Sequence, residues 1–167
     1  PGDLNGWFTI EVVDDGGSSG APYNNDICNA FDFGLVSTIQ ALTSETNACA
    51  NIEVGEQGAG TYATHSVWYE FIAPSSGQVN INVTSTDLIF GMDPEVYIHS
   101  SSDNTCLGTF TEVENSVLPT ALITENIQSS CLVPGDTYFI QVDGSGLTLE
   151  GTFNLSIIDN SSFSSRP

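Results

Sequence analysis

From Gln78 to Thr84 the chain alternates without a break, with Val79, Ile81 and Val83 on one side and Asn80, Asn82 and Thr84 on the other. A two-residue period sorts side chains onto the two faces of a strand and cannot make one face of a helix. The pattern recurs. Residues 137–143 turn Tyr138, Ile140 and Val142 one way, and residues 151–158 do the same with Phe153, Leu155 and Ile157. Residues 66–73 set Val67, Tyr69 and Phe71 against Trp68, Glu70 and Ile72. Shorter strand candidates cover 35–42, 95–99, 107–113 and 121–124. The breaks are built from turn formers: Pro74-Ser75-Ser76-Gly77, Pro134-Gly135-Asp136 and Asp143-Gly144-Ser145-Gly146. No window sustains a helical period, although residues 26–32 allow one helical turn. About eight to ten short strands punctuated in this way predict an all-β fold, an antiparallel β-sandwich of the jelly-roll or immunoglobulin-like kind.

The two ends of the chain echo each other. Gly6, Phe8, Ile10, Val12 and Asp14 match Gly151, Phe153, Leu155, Ile157 and Asp159, each pair 145 positions apart. Amphipathic strands resemble one another, so coincidence is one explanation. The other is that residues 1–15 are a strand belonging to, or docking on, a neighbouring module. On that reading Trp7, Phe8, Ile10 and Val12 form an inter-module strand. Residues 16–23 are then a linker, 24–159 a β-sandwich module and 160–167 the next linker or tail. A strand without a sheet of its own exposes unpaired backbone groups and can add to the edge of another chain, giving head-to-tail assembly.

Charge narrows the partners. The chain of 167 residues has 21 Asp and Glu against one cation, Arg166, and no Lys. Phosphate binding needs Lys or Arg to release counterions, so nucleic acid and anionic lipid surfaces are excluded. Uncompensated negative charge repels itself, and salt or divalent cations would relieve it. Only 13% of residues are charged while 40% are apolar, which rules out an acidic disordered tail. No apolar run is long enough to span a membrane, so no membrane insertion is expected. No basic stretch followed by an apolar one opens the sequence, which therefore reads as mature protein or an excised piece.

Cys28, Cys49, Cys106 and Cys131 are even in number and show no zinc spacing. They predict two disulfides and an oxidising, extracellular or cell-surface compartment. Three pairings are open. Sequence order favours Cys28–Cys49 and Cys106–Cys131, each closing a short loop that stabilises by roughly 3 kcal/mol.

Several blocks, taken in order, resemble one family. Pro22-Tyr23-Asn24-Asn25-Asp26-Ile27-Cys28-Asn29-Ala30 is similar to the opening of bacterial pre-peptidase C-terminal-like domains. Ser66-Val67-Trp68-Tyr69-Glu70-Phe71-Ile72-Ala73-Pro74 resembles their central strand, and Met92-Asp93-Pro94-Glu95-Val96-Tyr97 the strand after it. Residues 134–144 and Gly151-Thr152-Phe153-Asn154-Leu155 resemble the closing blocks. The resemblance covers about 22–158. It implies a β-sandwich, often in tandem in large secreted or surface proteins, including adhesins of Bacteroidetes-type bacteria and modules beside secreted enzymes. It also implies ligands seen among related domains: calcium, collagen or polysaccharide. The family's acidic loop after the Val-Tyr strand is not reproduced, since residues 111–125 hold Glu112, Glu114 and Asn115 without an Asp pair.

Chemistry of its own is thinly supported. His65 and His99 are the only histidines, neither in a metal motif, and no Gly-x-Ser-x-Gly elbow exists. No enzyme activity is expected. Calcium is the better candidate cofactor, held by Asn25, Asp26, Asp93 and Asp143 if their loops meet at one end of a sandwich. The competing reading of these residues is ordinary turn capping. Trp68 shares a strand face with Glu70, so it is a candidate platform for stacking a sugar, with burial under a loop as the alternative. The expected function is a structural repeat or subunit of an extracellular bacterial adhesin or filament, its partners neighbouring copies joined head-to-tail. The alternative is an accessory module of a secreted enzyme that binds polysaccharide or matrix protein.

Overall fold

A computed structural model describes residues 20–52, 65–86, 92–116, 123–145 and 150–163. The inter-module strand with Trp7, Phe8, Ile10 and Val12 lies outside the described residues, as do residues 16–19 of the linker after it. After two single 3-10 turns (Tyr23–Asn25 and Ile27–Asn29), nine strands are described. They are β1 (Phe31–Leu35), β2 (Gln40–Thr46), β3 (Val67–Ile72), β4 (Gln78–Ser85) and β5 (Asp93–Ser101). β6 (Phe110–Ser116), β7 (Thr124–Ser130), β8 (Thr137–Ser145) and β9 (Thr152–Asp159) follow. One sheet has the order β1-β3-β8-β5-β6 and the other β2-β9-β4-β7. All pairings are antiparallel except β1 with β3.

The predicted alternation sets the core. Val67, Tyr69 and Phe71 of β3 meet Ile140 and Val142 of β8 on the inner face of the five-stranded sheet. Val79, Ile81 and Val83 of β4 and Phe153, Leu155 and Ile157 of β9 face them from the other sheet, all at most 1% exposed. Burying aliphatic and aromatic side chains of this size is worth roughly 1.5–3 kcal/mol each, an upper bound set by the unfolded reference.

Two expectations are corrected, and the single helical turn allowed at 26–32 is met by a 3-10 turn. Residues 35–42 are not one strand. β1 ends at Leu35 and β2 starts at Gln40 in the other sheet, because the chain changes layers between them. Residues 26–32 hold a 3-10 turn and then the start of β1, where Phe31 and Phe33 interlock edge to face at 5.3 Å. The short strand expected at 121–124 begins at Thr124 and runs to Ser130. Its polar alternation (Glu125, Asn126, Gln128, Ser129) hid it, since Ile127 is the one aliphatic residue that points inward.

The cysteines pair otherwise than expected. One disulfide is present, Cys28–Cys106, with Cα atoms 5.0 Å apart, and Cys49 and Cys131 are free and exposed. The reason is topological. Cys28 sits on a turn packed against β3, and Cys106 lies in the hairpin between β5 and β6, so both belong to the five-stranded sheet. Cys49 and Cys131 follow β2 and β7, the two edges of the other sheet. Sequence neighbours thus leave from different layers. β8 lies between β3 and β5, so the bridge spans the outer face of its sheet.

The bridge closes a loop across 78 positions, for which chain entropy gives a stabilisation of about 4.5 kcal/mol. Replacing both cysteines (Cys28→Ala with Cys106→Ala) is expected to lower the urea-derived stability by about that amount and Tm by about 10 °C. A loss below 1 kcal/mol would mean that the segment before β1 is held without the bridge.

Candidate functional site

The outer face of the five-stranded sheet is not a solvated face. β3, β5 and β8 turn Trp68, Tyr97, His99, Phe139, Gln141 and Asp143 outward, yet each is at most 2% exposed. Register explains their meeting: His99 is paired with Phe139, Tyr97 with Gln141 and Trp68 with Gln141. The rings form a layer of their own. Trp68 lies 5.6 Å from His99 and 6.4 Å from Phe110, and Phe110 stands edge-on to Phe139 at 5.2 Å.

Threaded through these rings is a relay of polar groups. His99 Nε2 donates to Gln141 Oε1 at 2.9 Å, and Gln141 Nε2 donates to Ser66 Oγ at 2.8 Å. Ser66 Oγ donates to Asp143 Oδ2 at 3.3 Å, while Asp143 Oδ1 accepts the backbone N–H groups of Gly144 at 2.7 Å and His65 at 3.2 Å. Burial favours the neutral imidazole, and a neutral ring that donates through Nε2 carries its lone pair on Nδ1. His99 Nδ1 is buried and has no hydrogen-bond partner. Burial holds the His99 pKa below its usual value, opposed by the Gln141 bond and the charge of Glu112. Beside it, burial raises the Tyr97 hydroxyl, which donates to Glu95 Oε2 at 2.8 Å and faces the charges of Glu95, Asp143 and Glu112. Sealed in this way, the relay orders three strands and presents no open nucleophile.

Several of the expected site residues have local hydrogen-bond partners. Asp26 Oδ1 accepts the Cys28 N–H at 2.7 Å, a turn cap, and the Asn25 side chain brackets Asn51. Asp93 opens β5 opposite Ser145, and Asp143 lies opposite Glu95. Among the described residues no group of three or more His, Cys, Asp and Glu side chains is placed to hold a metal ion. Trp68 is fully buried rather than a stacking platform. Its backbone oxygen accepts from Asn24 Nδ2 at 3.0 Å, because the turns before β1 pack against β3. Sequence reasoning missed Gln141 and Ser66 altogether. A signal existed: Trp68 and Phe139 on the outward positions of adjacent strands are too apolar for a face left to water.

The chain matches no family model and no curated protein. Among solved structures it is similar to the pre-peptidase C-terminal domain of collagenase from Bacillus anthracis. That match has 16% identity and a TM-score of 0.42, and covers 77% of this chain and 93% of that one. It is also similar to CorA, a surface-associated copper-binding protein of Methylomicrobium album BG8. There the identity is 13% and the TM-score 0.46, over 78% of this chain and 99% of the other. The first of these is a domain of the type that the motif order resembles.

The pH dependence of the relay has a definite sign. A histidine with a depressed folded pKa contributes stability that is present above about pH 6.5 and lost as pH falls through the folded value. The cost of His99→Gln is therefore expected to be largest near pH 7.5 and to shrink toward pH 5, read from urea melts at each pH. A cost that stays constant would show that His99 is not held neutral by the fold. Independently, Gln141→Leu strands the His99 donor and is expected to cost about 1–3 kcal/mol.

Proposed function

We propose that the chain is a structural module of an extracellular bacterial surface assembly, an adhesin or filament, in which copies join head-to-tail by addition of strand 6–14. The observation that carries this reading is the place of β9. It lies between β2 and β4, paired on both sides, and Phe153, Leu155 and Ile157 fill the core. Residues 6–14 repeat its sequence, with Phe8, Ile10 and Val12 at the corresponding positions. They carry the side chains of a strand that needs partners and a face to cover it. Main-chain hydrogen bonding to a sheet edge supplies the first, and insertion of alternate side chains the second.

Three further features support the reading. A disulfide that links the segment before β1 to the β5–β6 hairpin persists only in an oxidising compartment. No helix among the described residues is long and apolar enough to cross a membrane. Burial of Trp68 removes the aromatic platform on which the sugar-binding alternative relied. Calcium enters this reading as a general counterion for 21 carboxylates against one cation. No catalytic role is included in it.

Light scattering and electron micrographs of the full chain and of a version lacking residues 1–15 test the proposal. The full chain is expected to grow beyond the monomer and the truncation to stay monomeric. Monomers in both cases would overturn it. Calcium chloride and sodium chloride at matched ionic strength are expected to raise Tm by similar amounts. A calcium-specific rise saturating at micromolar concentration would instead reveal a dedicated site.

A further inference from the structure

The two cysteines left unpaired stand at opposite poles of the sandwich. Cys49 lies in the turn after β2, where its N–H donates to Glu150 Oε1 at 2.9 Å and Asn47 bonds Gly151, just ahead of β9. Cys131 follows β7, where Leu132 N–H donates to Gly77 O at 3.0 Å at the head of β4. This corner is tight. Gly77 has φ +64°, and a Cβ on it would meet the Leu132 oxygen at 2.5 Å. Val79, the second residue of β4, pairs with Asp159 at the far end of β9. The eight residues of β9 therefore separate the two thiols by roughly 25 Å at about 3.4 Å per residue. A disulfide needs Cα atoms within about 7 Å, so Cys49 and Cys131 of one molecule cannot reach each other. Both are exposed, in a chain whose other two cysteines are already joined.

The pole that carries Cys131 also has an apolar face. Leu35, 57% exposed, borders a cleft of about 360 Å³ lined also by Val36, Ala73 and Pro74, and Ile39 (66% exposed) and Val133 (55% exposed) lie in the β1–β2 and β7–β8 connections at the same end. Exposed aliphatic groups gathered at the end of a monomer mark a contact surface. The Cys49 pole offers a complement in Ile52, 38% exposed three residues after the thiol. A surface that meets a different surface on the next copy generates an open chain of subunits.

We propose that Cys49 of one copy and Cys131 of the next form an intermolecular disulfide that seals the pole-to-pole contact. The inference rests on the head-to-tail reading above and adds a covalent bond at a named place. The step is thiol–disulfide exchange. One cysteine thiolate attacks a disulfide donor, either a small-molecule or a protein disulfide, and expels one donor thiolate. The partner's thiolate then displaces the second donor thiolate from the mixed disulfide. One S–S bond forms between the copies, the donor's S–S bond is lost, and two protons end on the donor thiols.

The full chain, treated with oxidised glutathione, is run on non-reducing gels and digested with a protease that cuts at acidic residues. A ladder and a joined Cys49–Cys131 peptide are expected. Cys49→Ser alone and Cys131→Ser alone should give no ladder, while their equimolar mixture gives one dimer band and nothing larger. The inference is overturned if both thiols alkylate completely in the oxidised, assembled chain, or if Cys131→Ser alone yields Cys49–Cys49 dimers. Light scattering in reductant separates the two readings. Growth there, together with complete alkylation of both thiols in the oxidised chain, leaves strand addition standing and removes the disulfide. A ladder in oxidant from a chain that is strictly monomeric in reductant does the reverse.

Discussion

A chain with 21 carboxylates and one cation cannot neutralise its buried acids with Lys or Arg, and the fold is arranged around that constraint. Each acid that the strands draw inward is met by a neutral donor. Asp143 takes two backbone N–H groups and the Ser66 hydroxyl, and Glu95 takes the Tyr97 hydroxyl. Tyr69 donates to Glu45 at 3.1 Å, Ser116 donates to Glu125, and Ser76 donates to Asp159 at 2.6 Å. His65 Nε2 lies 3.3 Å from Glu150 Oε1, a contact that is an ion pair only when the imidazole is protonated. Neutral donors satisfy an oxygen without cancelling its charge. Burial accordingly raises the pKa of Glu125, with Asp93 and Glu95 adding to the effect against the Ser116 bond. Where the acid is exposed and well bonded the sign reverses: the Thr105 hydroxyl and N–H pull Asp103 below its ordinary range.

The same constraint accounts for the second layer. A sheet with one solvated face normally carries charges there, and opposite charges across strands add to pairing. With almost no cations, the outer face of β3, β5 and β8 is instead covered and filled with rings, and its polar positions are joined in series from His99 to Asp143. Such a network rewards completeness, because each member left unsatisfied in a low dielectric costs more than the bond was worth. The Cys28–Cys106 bridge belongs to this arrangement. It ties the segment that packs on β3 to the hairpin that carries Phe110 toward Trp68.

The interior of the sandwich was legible in the sequence because a period of two states it directly. The four long alternating runs became β3, β4, β8 and β9, each with one of its two faces buried in the core. The edges were not. β7 buries Glu125 and Ser129 and reads as a polar loop, and β1 and β2 lie too close in sequence to reveal that they part into different sheets. Disulfide pairing failed for a related reason. Sequence distance measures loop entropy in the unfolded chain, whereas pairing is decided by which layer each cysteine joins in the folded one. The candidate calcium ligands were chosen one residue at a time, and two of them accept local backbone N–H groups: Asp26 from Cys28, and Asp143 from Gly144.

The topology itself sorts the cysteines into two roles. In a sandwich, residues that leave a sheet at its ends become the poles, and residues that pass over a face become the sides. Cys28 and Cys106 lie on a side, within reach of each other through the cover they hold in place. Cys49 and Cys131 lie at the ends of β2 and β7, the strands at the two edges of one sheet, and the length of β9 keeps them apart. A bond on the side closes a loop within one molecule and stabilises it by limiting its unfolded states. A bond at the poles leaves one molecule's entropy nearly unchanged and acts instead on the distance between copies, raising the effective concentration of every weaker contact beside it. A module whose self-repelling surface disfavours association has most to gain from the second kind.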